Sequence, residues 1–197
     1  LPAFAITGGV ASGKSTFTKL LAAATGAQAL DADDAVRGLL DNDPQVAGEL
    51  REQFGPGIFL ESGKVDRPAL RQRIFASEPE RRRLEAILHP RVRTRWRGWI
   101  EEQLQISPRA LLLVQIPLLY ETGADAFFAG VIVVGCGSQT QVRRLTGDRG
   151  FTEDAARRMI ASQWETPEKI RRGSHVIWND GALACLEAQA NLCARLL

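Results

Sequence analysis

The sequence predicts an α/β fold in which a five-stranded parallel sheet lies between two layers of helices. Three observations predict it. Short apolar runs of four to seven residues alternate with longer stretches of helical periodicity. A glycine-rich motif stands directly between the first such run and the first helical stretch. A long charged segment with helical periodicity, and no convincing strand, separates the second run from the third. With 197 residues and 45% hydrophobic content, the chain is long enough to bury one main core.

The elements follow in order. Ala3–Thr7 is apolar and ends at Gly8 and Gly9, as a buried parallel strand would. Over residues 14–24 the apolar Phe17, Leu20, Leu21 and Ala24 fall at helical spacing, and Gly26 is a stop signal. Residues 27–30 form a second strand running out into Asp31, Ala32 and Asp33. Residues 110–116 are the most hydrophobic run and the expected central strand, 131–134 the fourth and His175–Trp178 the fifth. Between the second and third strands, 38–106 is a helical excursion with turn signals at Gly55-Pro56-Gly57 and Glu61-Ser62-Gly63 and helices expected over 68–75 and 80–88. Residues 138–172, strongly charged, read as two helices flanking a turn at 147–150. The expected organisation is one unit over 1–197, with a core of 1–37, 107–137 and 173–197, an insert at 38–106 and a lid at 138–172.

Composition excludes several classes. The longest apolar stretch, 110–117, is interrupted by Gln115 and falls far short of the roughly 20 residues a membrane-spanning helix needs. The first strand runs straight into a glycine-rich loop without the charged lead of a signal peptide. A cytoplasmic protein is therefore expected. A net charge of +2 is too small for a nucleic-acid partner. Cys136, Cys185 and Cys193 have neither metal-site spacing nor the count of a disulfide scaffold, and are expected to be packing residues. Of the 25 basic residues 21 are arginine, ten of them between Arg67 and Arg97. Most of these should coat a solvated helix, with one or two facing an anion.

Gly8-Gly9-Val10-Ala11-Ser12-Gly13-Lys14-Ser15 fits G-x-x-x-x-G-K-[ST], the pattern of a phosphate-binding P-loop, and stands in the strand-to-helix setting that pattern requires. Glycines let consecutive backbone N–H groups converge on one anion, and the following helix presents its positive end. Lys14 is placed to reach the β- and γ-phosphates of ATP, and the Ser15 hydroxyl to bind Mg²⁺. The expected fold is thus a P-loop three-layer sandwich with a helical acceptor domain and a lid.

The acceptor must be read elsewhere. Strand alternation would put Asp31 and Asp33 on the same side of the sheet's carboxyl edge, where Asp33 either takes a proton from an attacking hydroxyl or caps a helix. Asp34 is the better cap, because Ala35, Val36, Leu39 and Leu40 follow at helical spacing. Pro117 to Glu121 follow the most hydrophobic strand. Glu121 is there either a site carboxylate or a surface or capping one. Gln115 and Pro117 stand where P-loop enzymes commonly carry a magnesium-holding aspartate. His89, before Pro90, is either a site residue or a structural one, and His175 reads as structural.

Together these residues resemble the dephospho-coenzyme A kinase family. The likeness runs through Thr7-Gly8-Gly9, Gly13-Lys14-Ser15, Asp31-Ala32-Asp33, Phe54-Gly55, residues 70–75, Leu88-His89-Pro90, Pro117-Leu118-Leu119 with Glu121, Gln163 and Asn179-Asp180-Gly181. The resemblance implies a five-stranded nucleoside-kinase-like core and transfer of the ATP γ-phosphoryl group to the ribose 3′-hydroxyl of dephospho-coenzyme A. It implies ATP contacts from Gly9, Val10, Ala11, Ser12, Gly13, Lys14, Ser15 and Thr16. It implies Asp33 as the base and Arg37 as an acceptor contact, with His89, Pro117, Leu118 and Glu121 lining the acceptor site and Asn179 near the adenine. The family's lid motif R-L-x-x-R-D-G is altered here to Arg144-Leu145-Thr146-Gly147-Asp148-Arg149-Gly150, so either Arg149 or Arg143 and Arg144 would meet the phosphates. The rival readings are another small-molecule kinase of the same fold and a slow ATP-hydrolysing switch. A switch would need neither an acceptor-edge carboxylate nor a lid.

Overall fold

The computed structural model describes residues 3–197, so residues 1 and 2 of the expected core lie outside the described residues. The chain divides into two compact units, one of residues up to Asp31 together with 100–197, the other of residues 32–99.

The first unit carries the sheet. Its strands are β1 (Ala3–Thr7), β2 (Gln28–Asp31), β3 (Leu112–Gln115), β4 (Gly130–Gly135) and β5 (His175–Trp178), in the order β2-β3-β1-β4-β5. All neighbours are parallel, with Ala5 opposite Val114 and Val131. The three central strands are almost wholly buried, which is why they read as continuous apolar runs and show no alternation. On one face Ile6, Leu113, Ile132, Val134 and Ile177 pack with Phe17 and Leu21 of α1 (Lys14–Thr25) and Leu186 and Ala190 of α9 (Leu183–Ala194). Gly26 ends α1 at φ 72°, the left-handed conformation glycine adopts most readily. The other face of β4 meets α8 (Thr166–Arg172).

The lid segment holds three helices where two were expected: α6 (Ser138–Gly147), α7 (Glu153–Ala161) and α8. Thr152 caps α7 by accepting from the Ala155 amide, and Pro167 at the start of α8 opens a further helix.

The second unit is helical: α2 (Ala32–Asn42), α3 (Pro44–Phe54), α4 (Arg67–Ala76) and most of α5 (Glu78–Ile106). Asp43 and Asp66 cap α3 and α4, each followed by a proline in the first turn. The expected helix over 80–88 is the beginning of α5, which continues through Pro90. An antiparallel bridge joins Phe59 to Val65. The arginine cluster is spent largely on ion pairs, including Arg73 with Glu80, Arg82 with Glu78 and Arg91 with Glu49.

The expected extension of the second strand to Asp33 is corrected. Pairing ends where Asp31 faces Gln115, and the chain turns at once into α2, which buries Ala32, Ala35 and Leu39 at helical spacing. Asp33 is therefore a helix residue, and strand alternation does not place it. Asp34 is not the cap either. Both aspartates lie in the first turn of α2, and Asp34 pairs with Arg37.

Among the described residues no disulfide joins the three cysteines, and Cys185 is exposed, contrary to the packing role expected of it. No helix among these residues is long and apolar enough to cross a membrane.

Candidate active site

The loop between β1 and α1 curls through three left-handed or glycine-favoured residues: Gly8 at φ 149°, Ala11 at φ 56° and Gly13 at φ 94°. Ala11 is the exception among them, since a residue with a Cβ holds that conformation only at a cost in energy. Gly13 stands at the N-terminus of α1 with no side-chain cap. The first-turn N–H groups, with the exposed Ser15 and Thr16 beside them, thus face outward from a helix start suited to an anion. Lys14 is buried within the curl, its Nζ donating to Gly8 O at 3.1 Å and Gly9 O at 2.8 Å. Ser12 is buried as well.

Side chains from distant parts of the chain hold this loop from behind. Asn179 Nδ2 donates to Ser12 O at 2.8 Å. Arg144 spans two backbone oxygens, donating to Ala11 O at 3.1 Å and to Asn179 O at 2.9 Å. Gln141 donates to Val10 O at 2.7 Å, and Gln163 accepts from the Val10 amide at 2.9 Å. Asp180 accepts from the Gly137 amide at 3.0 Å, which fixes the start of the helix carrying Gln141 and Arg144. That bond and two others hold the Asp180 carboxyl below its usual range, against the opposing effect of desolvation. Between α6, α7 and α8 a cavity of about 850 Å³ reaches Gly9, Gln141 and Gln163.

Arg144 is thus the lid arginine seated at the loop, whereas Arg149 lies exposed in the turn after α6. Asn179 is buried and bonded to the loop itself, so what it positions is the loop backbone. Burial pushes the Cys136 thiol up, while the Arg144 and Lys14 cations pull it the other way.

At the carboxyl end of the sheet, buried Gln115 ties Asp31 to Thr18: its Nε2 donates to Asp31 Oδ2 at 2.7 Å, and its Oε1 accepts from Thr18 Oγ1 at 3.2 Å. Pro117 O accepts from Thr7 Oγ1 at 3.2 Å and from Lys169 Nζ at 3.1 Å. Glu121, in the turn after β3, is largely buried and is not a surface carboxylate. Its Oε1 pairs with Lys169 Nζ at 2.8 Å and accepts from the Trp164 amide at 3.0 Å. Tyr120 stacks on Trp164 with ring centroids 6.1 Å apart, and its buried hydroxyl has no hydrogen-bond partner among the described residues. Burial pushes the Tyr120 phenol up to about 12. Leu118 is half-buried in the same segment.

In the helical unit, Asp33 and Arg37 are exposed on α2, with Arg37 engaged by Asp34. His89 lies half-buried on α5. Burial pushes its imidazole down, with Glu85 opposing and Arg93 adding to the shift.

The family profile described as dephospho-CoA kinase matches residues 3–184. The chain belongs to the dephospho-CoA kinase family. It is 38% identical over 176 residues to a dephospho-CoA kinase of Geobacillus kaustophilus, covering 89% of this chain and 87% of the relative. The crystal structure of TT1252 from Thermus thermophilus superposes with a TM-score of 0.77 at 30% identity, over 99% of this chain and 97% of that one. The dephospho-CoA kinase from Campylobacter jejuni superposes with a TM-score of 0.63 at 26% identity, over 99% and 96%.

Membership implies ATP as the phosphoryl donor and invites a test of the site against magnesium. Among the described residues no cluster of three or more His, Cys, Asp or Glu side chains forms a metal cage. Magnesium does not ask for one, since it keeps several waters and takes few protein ligands beside phosphate oxygens. The exposed Ser15 hydroxyl on the first turn of α1 is a hard oxygen donor of the right kind, so the residues fit the ion. Sequence reasoning missed Lys169 and Gln141. A buried lysine within the charged run 165–172 carries no local mark that separates it from its exposed neighbours.

Proposed function

We propose that this chain is a dephospho-CoA kinase that transfers the γ-phosphoryl group of ATP to the ribose 3′-hydroxyl of dephospho-coenzyme A. The products are coenzyme A and ADP, and the reaction is the last step of coenzyme A biosynthesis. One observation carries the reading: the family match spans residues 3–184, taking in the insert and the lid as well as the phosphate loop. A likeness confined to the loop would fit any P-loop enzyme.

In this reaction the 3′-oxygen forms a bond to the γ-phosphorus while the bond from that phosphorus to the bridging oxygen of ADP breaks. Asp33 takes the hydroxyl proton, and positioning plus charge supply most of the rate. Backbone N–H groups of residues 9–16 and the Lys14 ammonium bind the phosphates. Arg144, held over the loop by Ala11 O and Asn179 O, brings a second cation, so that a small shift of its guanidinium would serve the transferring group. Arg149 stands in reserve on the turn. Ser15 would hold magnesium, which when bound would supply positive charge to offset that of the phosphates. Arg37, His89, Pro117, Leu118 and Glu121 belong to the acceptor side. The reading implies a cytoplasmic enzyme with a small-molecule substrate and neither a nucleic-acid nor a membrane partner.

The test is ADP release from Mg²⁺-ATP with dephospho-coenzyme A, with adenosine monophosphate and with no acceptor, the product being weighed by mass spectrometry. Gain of one phosphoryl group with dephospho-coenzyme A alone is expected. ADP release indifferent to the acceptor would overturn the reading.

A further inference from the structure

Lysine is almost never fully buried unless paired, yet the side chain of Lys169 on α8 has no exposed surface. Phosphoryl transfer as set out above makes no use of it. Its ammonium makes two bonds, to Glu121 Oε1 at 2.8 Å and to Pro117 O at 3.1 Å, and each leads towards the phosphate loop. Pro117 O also accepts from Thr7 Oγ1, the hydroxyl of the residue immediately before the loop. Glu121 Oε1 also accepts from the Trp164 amide, and the adjoining residue, Gln163, accepts from the Val10 amide inside the loop. Trp164 is fixed on both sides, stacked on Tyr120 and covered by the Arg172 guanidinium at 4.6 Å.

We propose that Lys169 is a positioning residue for phosphoryl transfer: its buried ammonium sets Glu121 and Pro117, and through them Gln163 and Thr7, so that the loop is held at Val10 and at the residue that leads into it together. A hydrocarbon side chain would fill the same space at a smaller desolvation cost, and such replacements of buried ion pairs are often neutral or stabilising. What a hydrocarbon lacks is the power to impose distance and direction on a carboxylate and a carbonyl at once. Registry of this kind is the best-attested use of a buried charge. The loop must hold its N–H groups on the phosphates to within a fraction of an ångström, because a misplacement of about 1 Å can cost about 100-fold in rate.

The proposal rests on the kinase reading for its kinetic arm only. Wild type is compared with Lys169→Met and with Lys169→Met combined with Glu121→Gln, and Glu121→Gln alone is the kinetic reference because Glu121 also belongs to the acceptor side. The single variant strands a buried carboxylate and should lose stability. The double variant removes that charge while keeping an acceptor for the Trp164 amide, so its Tm should recover. Its kcat should nevertheless stay about tenfold or more below that of Glu121→Gln alone, with the KM for ATP close to wild type. Hydrogen exchange at the Val10 amide, measured relative to β1 amides, should accelerate in both Lys169 variants.

Recovery of Tm in the double variant, with kcat equal to that of Glu121→Gln alone, would mean that Lys169 only neutralises Glu121, and the proposal would fall. Val10 protection equal to wild type would overturn it whatever the kinetics. A wild-type protein that does not phosphorylate dephospho-coenzyme A would count against the proposed function instead, because the exchange arm involves no acceptor.

Discussion

Gly13→Ala probes one of the two tightest packings in the loop, the other being at Gly8. A Cβ at this position would stand well inside contact distance of Asn179 Nδ2, and the backbone there is at φ 94°. Asn179 cannot step aside cheaply, because the same nitrogen donates to Ser12 O at 2.8 Å in a buried setting. Two costs add. Holding an alanine in the left-handed region costs about 1.5 kcal/mol. Breaking the bond to Ser12 O and stranding a buried carbonyl costs about as much again, so the variant should lose about 3 kcal/mol. Asn179→Ala alone removes the bond without the strain and should lose about 1.5 kcal/mol. In the double variant the clash has no partner and the bond is lost only once. Its expected cost is about 3 kcal/mol, not the additive value of about 4.5 kcal/mol. Urea unfolding followed by circular dichroism, extrapolated to water, measures all four proteins. Additivity to within about 0.5 kcal/mol would refute the reasoning, since it would mean that the two positions do not share one interaction.

Four further outcomes are expected. Asp33→Asn should lower kcat by about 100-fold or more with little change in ATP affinity, and near-normal turnover would remove Asp33 from the base role. Arg144→Ala should raise the KM for ATP about tenfold while Arg149→Ala changes it little, because Arg144 is seated over the loop and Arg149 is exposed; equal losses would contradict that assignment. Tyr120→Phe removes a buried hydroxyl without a partner among the described residues, so thermal melts should show unchanged or slightly higher stability, and a clear loss of Tm would reveal a bond to that oxygen. Burial depresses the His89 pKa below its unfolded value of about 6.5, so its contribution to stability is present above that pH and is lost as pH falls through the depressed folded value. His89→Gln should therefore flatten the fall in Tm on acidification, and an unchanged pH profile would show that His89 titrates alike in both states.

What the sequence discloses of this site follows the range over which each feature is determined. The strand, loop and helix from Ala3 to Thr25 were legible because turn glycines, a buried apolar run and a helical repeat are all set within a few residues of one another. The caps at Asp43 and Asp66 depend on an equally short range, an aspartate preceding a first-turn proline. Asp33 shows where local reading breaks. The alternation that aligned it with Asp31 is a property of a strand, and the strand stops when β3 offers no partner past Gln115. That fact lies some 84 residues away in the chain, at the separation of the Gln115 to Asp31 bond. The loop's supports are more distant still: Gln141, Arg144, Gln163 and Asn179 reach it across separations of 131, 133, 153 and 167 residues. No periodicity or spacing can register such contacts, because they are fixed by the order of strands in the sheet. With β4 beside β1 and β5 beside β4, whatever follows those two strands emerges next to the loop. Gln141 and Arg144 on α6, which follows β4, and Asn179, just after β5, reach the loop because of that topology, while Gln163 comes from the turn between α7 and α8. α6 and the loop are joined in this way through Ala11 O and Asn179 O. Arg144 donates to the backbone oxygen of Asn179, whose side chain holds Ser12 O, so a displacement of either residue should be felt at the loop.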